Sequence, residues 1–163
     1  FKNKYIFYIN MKVFIFDLDD TIIYYPHGIV DYSNIYPDAT LFNLFDNLKY
    51  PKIIYTNGTH GHAINILKNM RLTEQFTAVY ARDTMPAMKP DMISYKFVEN
   101  DIRKNINEKN KYYFFDDRLE NLQTAKSRGW ETIWVHEDFM NKPFYVDYSF
   151  PNIHTAIMYY LVI

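Results

Sequence analysis

Asp17, Asp19 and Asp20 crowd into the turn Asp17-Leu18-Asp19-Asp20-Thr21, directly behind the apolar run Val13-Phe14-Ile15-Phe16. The spacing sets two carboxylates, Asp17 and Asp19, two residues apart in one exposed turn, where a nucleophile and a proton donor can serve one substrate. Phosphoryl transfer through a covalent intermediate needs such a pair. One carboxylate attacks phosphorus, another protonates the leaving oxygen, and the anionic phosphate must be neutralised before attack is possible. Two acids alone repel the substrate. The neutralising groups stand downstream: Thr56 as a hydroxyl donor, Lys89 as a point charge, and Asp116 with Asp117 as hard oxygen ligands able to help Asp17 hold Mg²⁺. Taken singly, each has an ordinary reading, as an acidic turn, a tight turn at Thr56-Asn57-Gly58, or a helix cap favoured by the dipole. Four of them in order, each behind an apolar strand, favour chemistry.

The elements that must position these residues follow from hydrophobic periodicity. Val13 to Phe16 is continuous, apolar and rich in β-branched and aromatic residues, as suits a strand buried on both faces. The pattern recurs at Lys52 to Tyr55, Thr77 to Tyr80, Tyr112 to Phe115 and Thr132 to Val135. Between these runs lie segments with helical spacing: Leu41, Leu44, Phe45 and Leu48; Ala63, Ile66, Leu67 and Met70; Ile93, Phe97, Val98 and Ile102; Leu119, Leu122 and Ala125. The alternation predicts a Rossmann-like α/β/α sandwich with a mainly parallel five-stranded sheet and ligands collected at the carboxyl ends of the strands. Polar residues gather where such ends fall, at Asp17 and Asp19, at Thr56 and Asn57, at Arg82 and Asp83, and at Asp116 and Asp117. Pro143 to Pro151 reads as a connector from the last strand to a final helix near Asn152 to Leu161.

With 163 residues, 48% of them hydrophobic, the chain has material for one core, expected as a single domain over residues 11–163. Phe1 to Asn10 reads as an extension, because Met11 opens the first strand and the preceding stretch is broken by Lys2, Asn3, Lys4 and Asn10. A net charge of -1 gives no broad footprint for nucleic acid or an anionic membrane. The absence of Cys excludes thiol catalysis, disulfides and thiolate-held metals and agrees with a reducing compartment, so a soluble, cytoplasmic protein is expected. No apolar run approaches the roughly 18–20 residues that span a bilayer.

Four stretches carry a resemblance: FIFDLDDT (Phe14 to Thr21), IYTNG (Ile54 to Gly58), MKP (Met88 to Pro90) and YFFDDRLEN (Tyr113 to Asn121). In this order they resemble the motifs of the haloacid dehalogenase superfamily of hydrolases. Thr56 to Phe76, with Lys89-Pro90 and Asp116-Asp117, looks most like its pyrimidine 5'-nucleotidase-like branch. The resemblance implies Asp17 as nucleophile and metal ligand, and Asp19 as general acid and base whose main-chain carbonyl also meets the Mg²⁺. It further implies Thr56, Asn57 and Lys89 on the phosphate, Asp116 as the acidic metal ligand, and Asp117, Asn121 and His62 in supporting positions around them. An acid at Asp19 is what phosphatases need and dehalogenases do not, so phosphate ester hydrolysis is the expected reaction.

Relatives that act on small metabolites usually carry an inserted cap. Here 34 residues separate Thr21 from Thr56 and 32 separate Thr56 from Lys89, which leaves no room for one. Residues 22–38 can form only a flap, in which Tyr24, Tyr25 and His27 either stack on a base or pack as aromatics. Arg82, Asp83 and Arg118 are read as solvated salt-bridge residues that could otherwise meet a second anionic group. Three functions follow: a phosphatase for a small ester such as a nucleotide, a capless phosphatase for a phosphoprotein or nucleic-acid end, and an inactive phosphate- or protein-binding module. A second subunit completing the open site is a further expectation for the enzyme.

Overall fold

The computed structural model describes residues 11–25 and 28–163, so Phe1 to Asn10 and His27 lie outside the described residues. Among the described residues, six parallel strands form one sheet in the order β3-β2-β1-β4-β5-β6. They are β1 (Met11–Phe16), β2 (Lys52–Tyr55), β3 (Ala78–Tyr80), β4 (Asn110–Asp116), β5 (Glu131–Val135) and β6 (Tyr148–Phe150). The chain builds outward from β1 to β3, then returns to lay β4 on the other side of β1. Ile15 pairs with Ile53 on one flank and with Phe114 on the other, so β1 is the centre of the sheet.

Strict alternation divides the strand residues between two buried layers. Phe14, Phe16, Ile54 and Phe115 join Leu41 and Phe45 of α1 (Ala39–Asn47), Ile66 and Leu67 of α2 (His60–Asn69), and Ile157 and Tyr160 of α5 (Ile153–Val162). Val13, Ile15, Ile53 and Phe114 join Tyr95, Val98 and Ile102 of α3 (Met92–Asn105) and Leu122 and Ala125 of α4 (Leu119–Ser127). The three layers and the parallel sheet agree with the expected fold. Helix starts are set locally, because the side chains of Asp38, Thr59, Asp91 and Asn152 each accept from a backbone N–H of the first turn.

The expectation of five strands falls short by one. Inside the stretch read as a connector, Tyr148–Phe150 pairs in parallel with Ile133–Val135. The crossover to it holds only a 3-10 turn at Phe139–Asn141, with Tyr145 and Val146 covering the face that α3 and α4 cover elsewhere. A parallel strand reached without a helix shows no 3.6-residue period to announce it.

Candidate active site

The reversal of strand order between β1 and β4 opens a crevice at their carboxyl ends. Phe16 pairs with Phe115, so the next residue of β1 is Asp17 and the last of β4 is Asp116. Lys89 arrives from the loop before α3 and places Nζ 2.7 Å from Asp17 Oδ1 and 2.7 Å from Asp116 Oδ2. All three side chains are buried, Asp116 and Lys89 almost completely. Tyr55 and Phe114 present ring faces to the same ammonium at 5.0 and 5.3 Å. Asn121 Nδ2 donates to both Asp116 oxygens at 3.0 and 3.1 Å, and the Arg118 N–H donates to Asp116 Oδ1 at 2.8 Å, which fixes that carboxylate at the start of α4.

Asp17, Asp116 and Asp117 bring one carboxylate oxygen each to within 4.8 Å of one another. Thr21 Oγ1 lies 3.4 Å from both Asp17 and Asp117. Three carboxylates therefore share one ammonium, and the electrostatics record the shortage. Burial, with Asp116 and Asp117 close by, outweighs Lys89 and pushes Asp17 up to about 8. Burial and Asp116 push Asp117 up to about 7. Burial opposes the charge on Lys89, but the Asp116 and Asp17 carboxylates overcome it and hold the ammonium above its ordinary range. A hard divalent cation fits this set, since clustered anionic oxygens short of positive charge are the donors such ions take.

The opposite wall comes from the end of β2. Thr56 is buried, and its Oγ1 accepts the Gly58 N–H at 2.9 Å. Asn57 clamps Lys89 reciprocally: its Oδ1 accepts the Lys89 N–H and its Nδ2 donates to the Lys89 carbonyl, both at 2.9 Å. The structure thus puts the Asn57 side chain on the backbone of the lysine. A Cβ at Gly58 would sit 2.8 Å from His62 Cδ2, 3.3 Å from Thr56 Oγ1 and 3.4 Å from Asp19 Oδ2, so any side chain there would force the His62 ring or the turn to shift.

Asp19 faces this wall from the turn after β1. That turn is held by Asp20 in the left-handed region at φ 59°, a conformation uncommon outside glycine and one that clusters at functional turns. Asp19 Oδ1 accepts from Tyr25 Oη and lies 2.8 Å from His62 Nε2, while His62 Nδ1 meets Tyr32 Oη at 2.6 Å. A cavity of about 170 Å³ runs between Asp17, Asp19, Thr56, Gly58 and Lys89. A second, of about 680 Å³, shares Asp20 and Asp117 with it and extends past Tyr24, His136 and His154.

Asp17, Asp19, Thr56, Asn57, Lys89, Asp116, Asp117, Asn121 and His62 therefore converge on one crevice. Tyr24 is exposed, while Tyr25 is buried with its hydroxyl on Asp19. Arg118 pairs with Glu120 at the surface, the ordinary reading of that residue, and Arg82 is exposed. Gly58, Thr21 and Tyr32 escaped the sequence reasoning. A glycine two residues past the strand was visible, but the ring that makes it necessary belongs to a helix and could not be placed from spacing.

The fold and the crevice define a doubly wound α/β protein with an acidic, lysine-bridged centre at its switch point. Residues 36–135, more than half of the chain, match the family model described as haloacid dehalogenase-like hydrolase, and the chain belongs to that family. The match begins beyond the Asp17 turn, so the place of Asp17 and Asp19 rests on geometry. Among solved structures, the HAD-hydrolase YfnB from Bacillus subtilis, bound to magnesium, superposes with a TM-score of 0.64 at 19% identity, over 75% of this chain and 54% of that one. This chain therefore spans about half of YfnB. A Thermotoga maritima protein assigned as a β-phosphoglucomutase superposes at 0.65 with 15% identity, over 93% of this chain and 99% of the other. The core domain of a protein assigned as a phosphoglycolate phosphatase from Streptococcus pneumoniae gives 0.62 at 19% identity, over 95% and 98%. At these identities the likeness is one of fold. No curated protein matches the sequence. Among the described residues, no helix is long and apolar enough to cross a membrane.

Proposed function

We propose that the chain is a Mg²⁺-dependent phosphomonoesterase that works through a phosphorylated Asp17. The observation that carries this reading is Lys89, buried and equidistant at 2.7 Å from Asp17 and Asp116, beside a cavity whose other wall is Thr56 and Gly58. Asp17, Asp116 and Asp117, with the main-chain carbonyl of Asp19, would hold the cation, which when bound supplies positive charge against that of the phosphate.

In this mechanism a carboxylate oxygen of Asp17 attacks phosphorus as the ester P–O bond breaks. The departing oxygen takes its proton from Asp19. The Thr56 hydroxyl and backbone N–H groups of the β2 turn receive phosphoryl oxygens, while Lys89 keeps Asp17 aimed and its charge tolerable in a buried site. Water then cleaves the acyl phosphate, with Asp19 recovering a proton from it. Asn57 contributes by fixing the Lys89 backbone, and Asn121 by fixing Asp116.

The substrate class proposed is a small ester with a neutral leaving group. Among the described residues, the larger cavity is lined by no Lys or Arg, and its 680 Å³ suits a nucleoside-sized group. The test is phosphate release, with Mg²⁺ or EDTA, from nucleoside monophosphates, an aryl phosphate, a phosphopeptide and a 3'-phosphorylated oligonucleotide. Mg²⁺-dependent turnover on the small esters, lost in Asp17→Asn, is the expected result. Preference for the macromolecules would move the substrate to a phosphoprotein or nucleic-acid end. No release from any of them by the folded protein would overturn the enzymatic reading in favour of a binding module.

A further inference from the structure

We propose that His62, Tyr25 and Tyr32 form a relay that sets the direction in which Asp19 delivers its proton, and that it ties the acid to the seating of the segment between β1 and α1. The inference rests on the phosphatase reading above and assigns positioning residues to it.

The relay joins three parts of the chain. Asp19 stands in the turn after β1, His62 in the first turn of α2, and Tyr25 and Tyr32 in the intervening flap. Asp19 Oδ1 receives Tyr25 Oη and His62 Nε2, both at 2.8 Å. With the transferable proton of Asp19 on Oδ2, Oδ1 is an acceptor, so the relay requires His62 to present an N–H at Nε2. In the tautomer with its proton on Nε2, Nδ1 is an acceptor, and the Tyr32 hydroxyl 2.6 Å away is its donor. Tyr32 thereby selects the tautomer that points a proton at Asp19. The Tyr32 carbonyl in turn accepts from Asn69 Nδ2 at 3.1 Å, which seats the flap on α2.

Two donors on Oδ1 leave Oδ2 as the oxygen able to carry the transferable proton. Oδ2 is the oxygen that lies 3.4 Å from the vacant Cβ position of Gly58, and Asp19 and Gly58 both line the small cavity. In the proposed mechanism this free oxygen is the one that delivers the proton to the leaving oxygen. The missing Cβ at Gly58 leaves room for the His62 ring as well, so the relay explains why the β2 turn needs glycine there. With no inserted cap among the described residues to orient the acid, this chain can use its flap.

The test compares an alkyl phosphate with an activated aryl phosphate in wild type, Asp19→Asn, His62→Ala, His62→Gln, Tyr25→Phe and Tyr32→Phe. Only the alkyl ester depends strongly on leaving-group protonation. His62→Ala is expected to lower kcat for the alkyl ester roughly ten- to a hundredfold more than for the aryl ester, at little change in KM. His62→Gln, which keeps a donor near the Nε2 position, should recover most of that loss. Imidazole ¹⁵N shifts should report His62 protonated at Nε2 in the wild type, with that preference weakened in Tyr32→Phe. Equal slowing of both esters by His62→Ala, or a ring protonated at Nδ1, overturns the relay while leaving the phosphatase intact. No turnover by the wild type, or no leaving-group selectivity in Asp19→Asn, overturns the underlying mechanism and the relay with it.

Discussion

Replacing Asp17 by Asn should make the metal-free protein less sensitive to rising pH, and the size of the change follows from the crevice. In the unfolded chain Asp17 ionises at 3.8, whereas burial beside Asp116 and Asp117 holds it protonated up to about 8 in the folded one. Between those values the folded state binds the extra proton, so stability is full below the lower value and is lost as pH climbs toward the upper. One such group costs about 1.4 kcal/mol per pH unit, or roughly 3 kcal/mol from about pH 5 to about pH 7. Asp117, pushed up to about 7 chiefly by burial and Asp116, adds a second contribution of the same sign that the substitution leaves in place. Asn keeps a carbonyl oxygen for Lys89 and cannot ionise. Urea unfolding in EDTA, followed by the buried Trp130 and Trp134, should therefore show a stability loss across this window about half as steep in Asp17→Asn as in the wild type. Parallel curves for the two proteins, or a wild type that gains stability as pH rises, would refute the argument.

Glu99 is buried on α3 and receives Trp130 Nε1 at 2.8 Å and Arg128 Nε at 3.1 Å, so Glu99→Ala should destabilise by about 1–3 kcal/mol, read from the urea midpoint, because it strands the buried indole donor while the half-buried Arg128 turns to solvent. Burial opposes the ionisation of Asp147, but Lys126 and the Thr132 N–H and hydroxyl outweigh it and lower its pKa. Its contribution is therefore present above 3.8 and lost as pH falls below, and Asp147→Asn should flatten the decline of thermal stability as pH drops below that value. Gly58→Ala should cost about 1–3 kcal/mol or swing His62 off Asp19, which thermal unfolding and the His62 ¹⁵N spectrum together distinguish.

Much of this was readable from the sequence because it is local. A buried parallel strand announces itself by uninterrupted apolar residues, and the polar residue that ends it must stand at the sheet edge. Val13 to Phe16 followed by Asp17, and Tyr112 to Phe115 followed by Asp116, show both signals in a few residues. β6 gave neither, being three half-buried residues next to Pro151 and reached without a helix. Asn57 shows a different limit. Its residue type fits a turn, which is where it lies, but its side-chain partners are 32 residues further on. The tyrosines of the relay were hidden by composition, since among 16 tyrosines nothing local separates those whose hydroxyls reach Asp19 and His62 from those that only pack.

The order of the sheet also decides when the crevice can exist during folding. Asp17 and Lys89 are 72 residues apart along the chain, and Lys89 and Asp116 a further 27, so their meeting waits on the pairing of β1 with β4, among the longest-range contacts of the sheet. Such pairings carry a large loop-closure cost and tend to form slowly. A chain emerging from the ribosome holds Asp17, Thr56 and Lys89 well before Asp116 has been made, and the buried carboxylates become crowded only once the sheet closes. Recovery of the crevice after dilution from denaturant should therefore follow the pairing of β1 with β4, which makes it a reporter of long-range closure at the centre of the sheet.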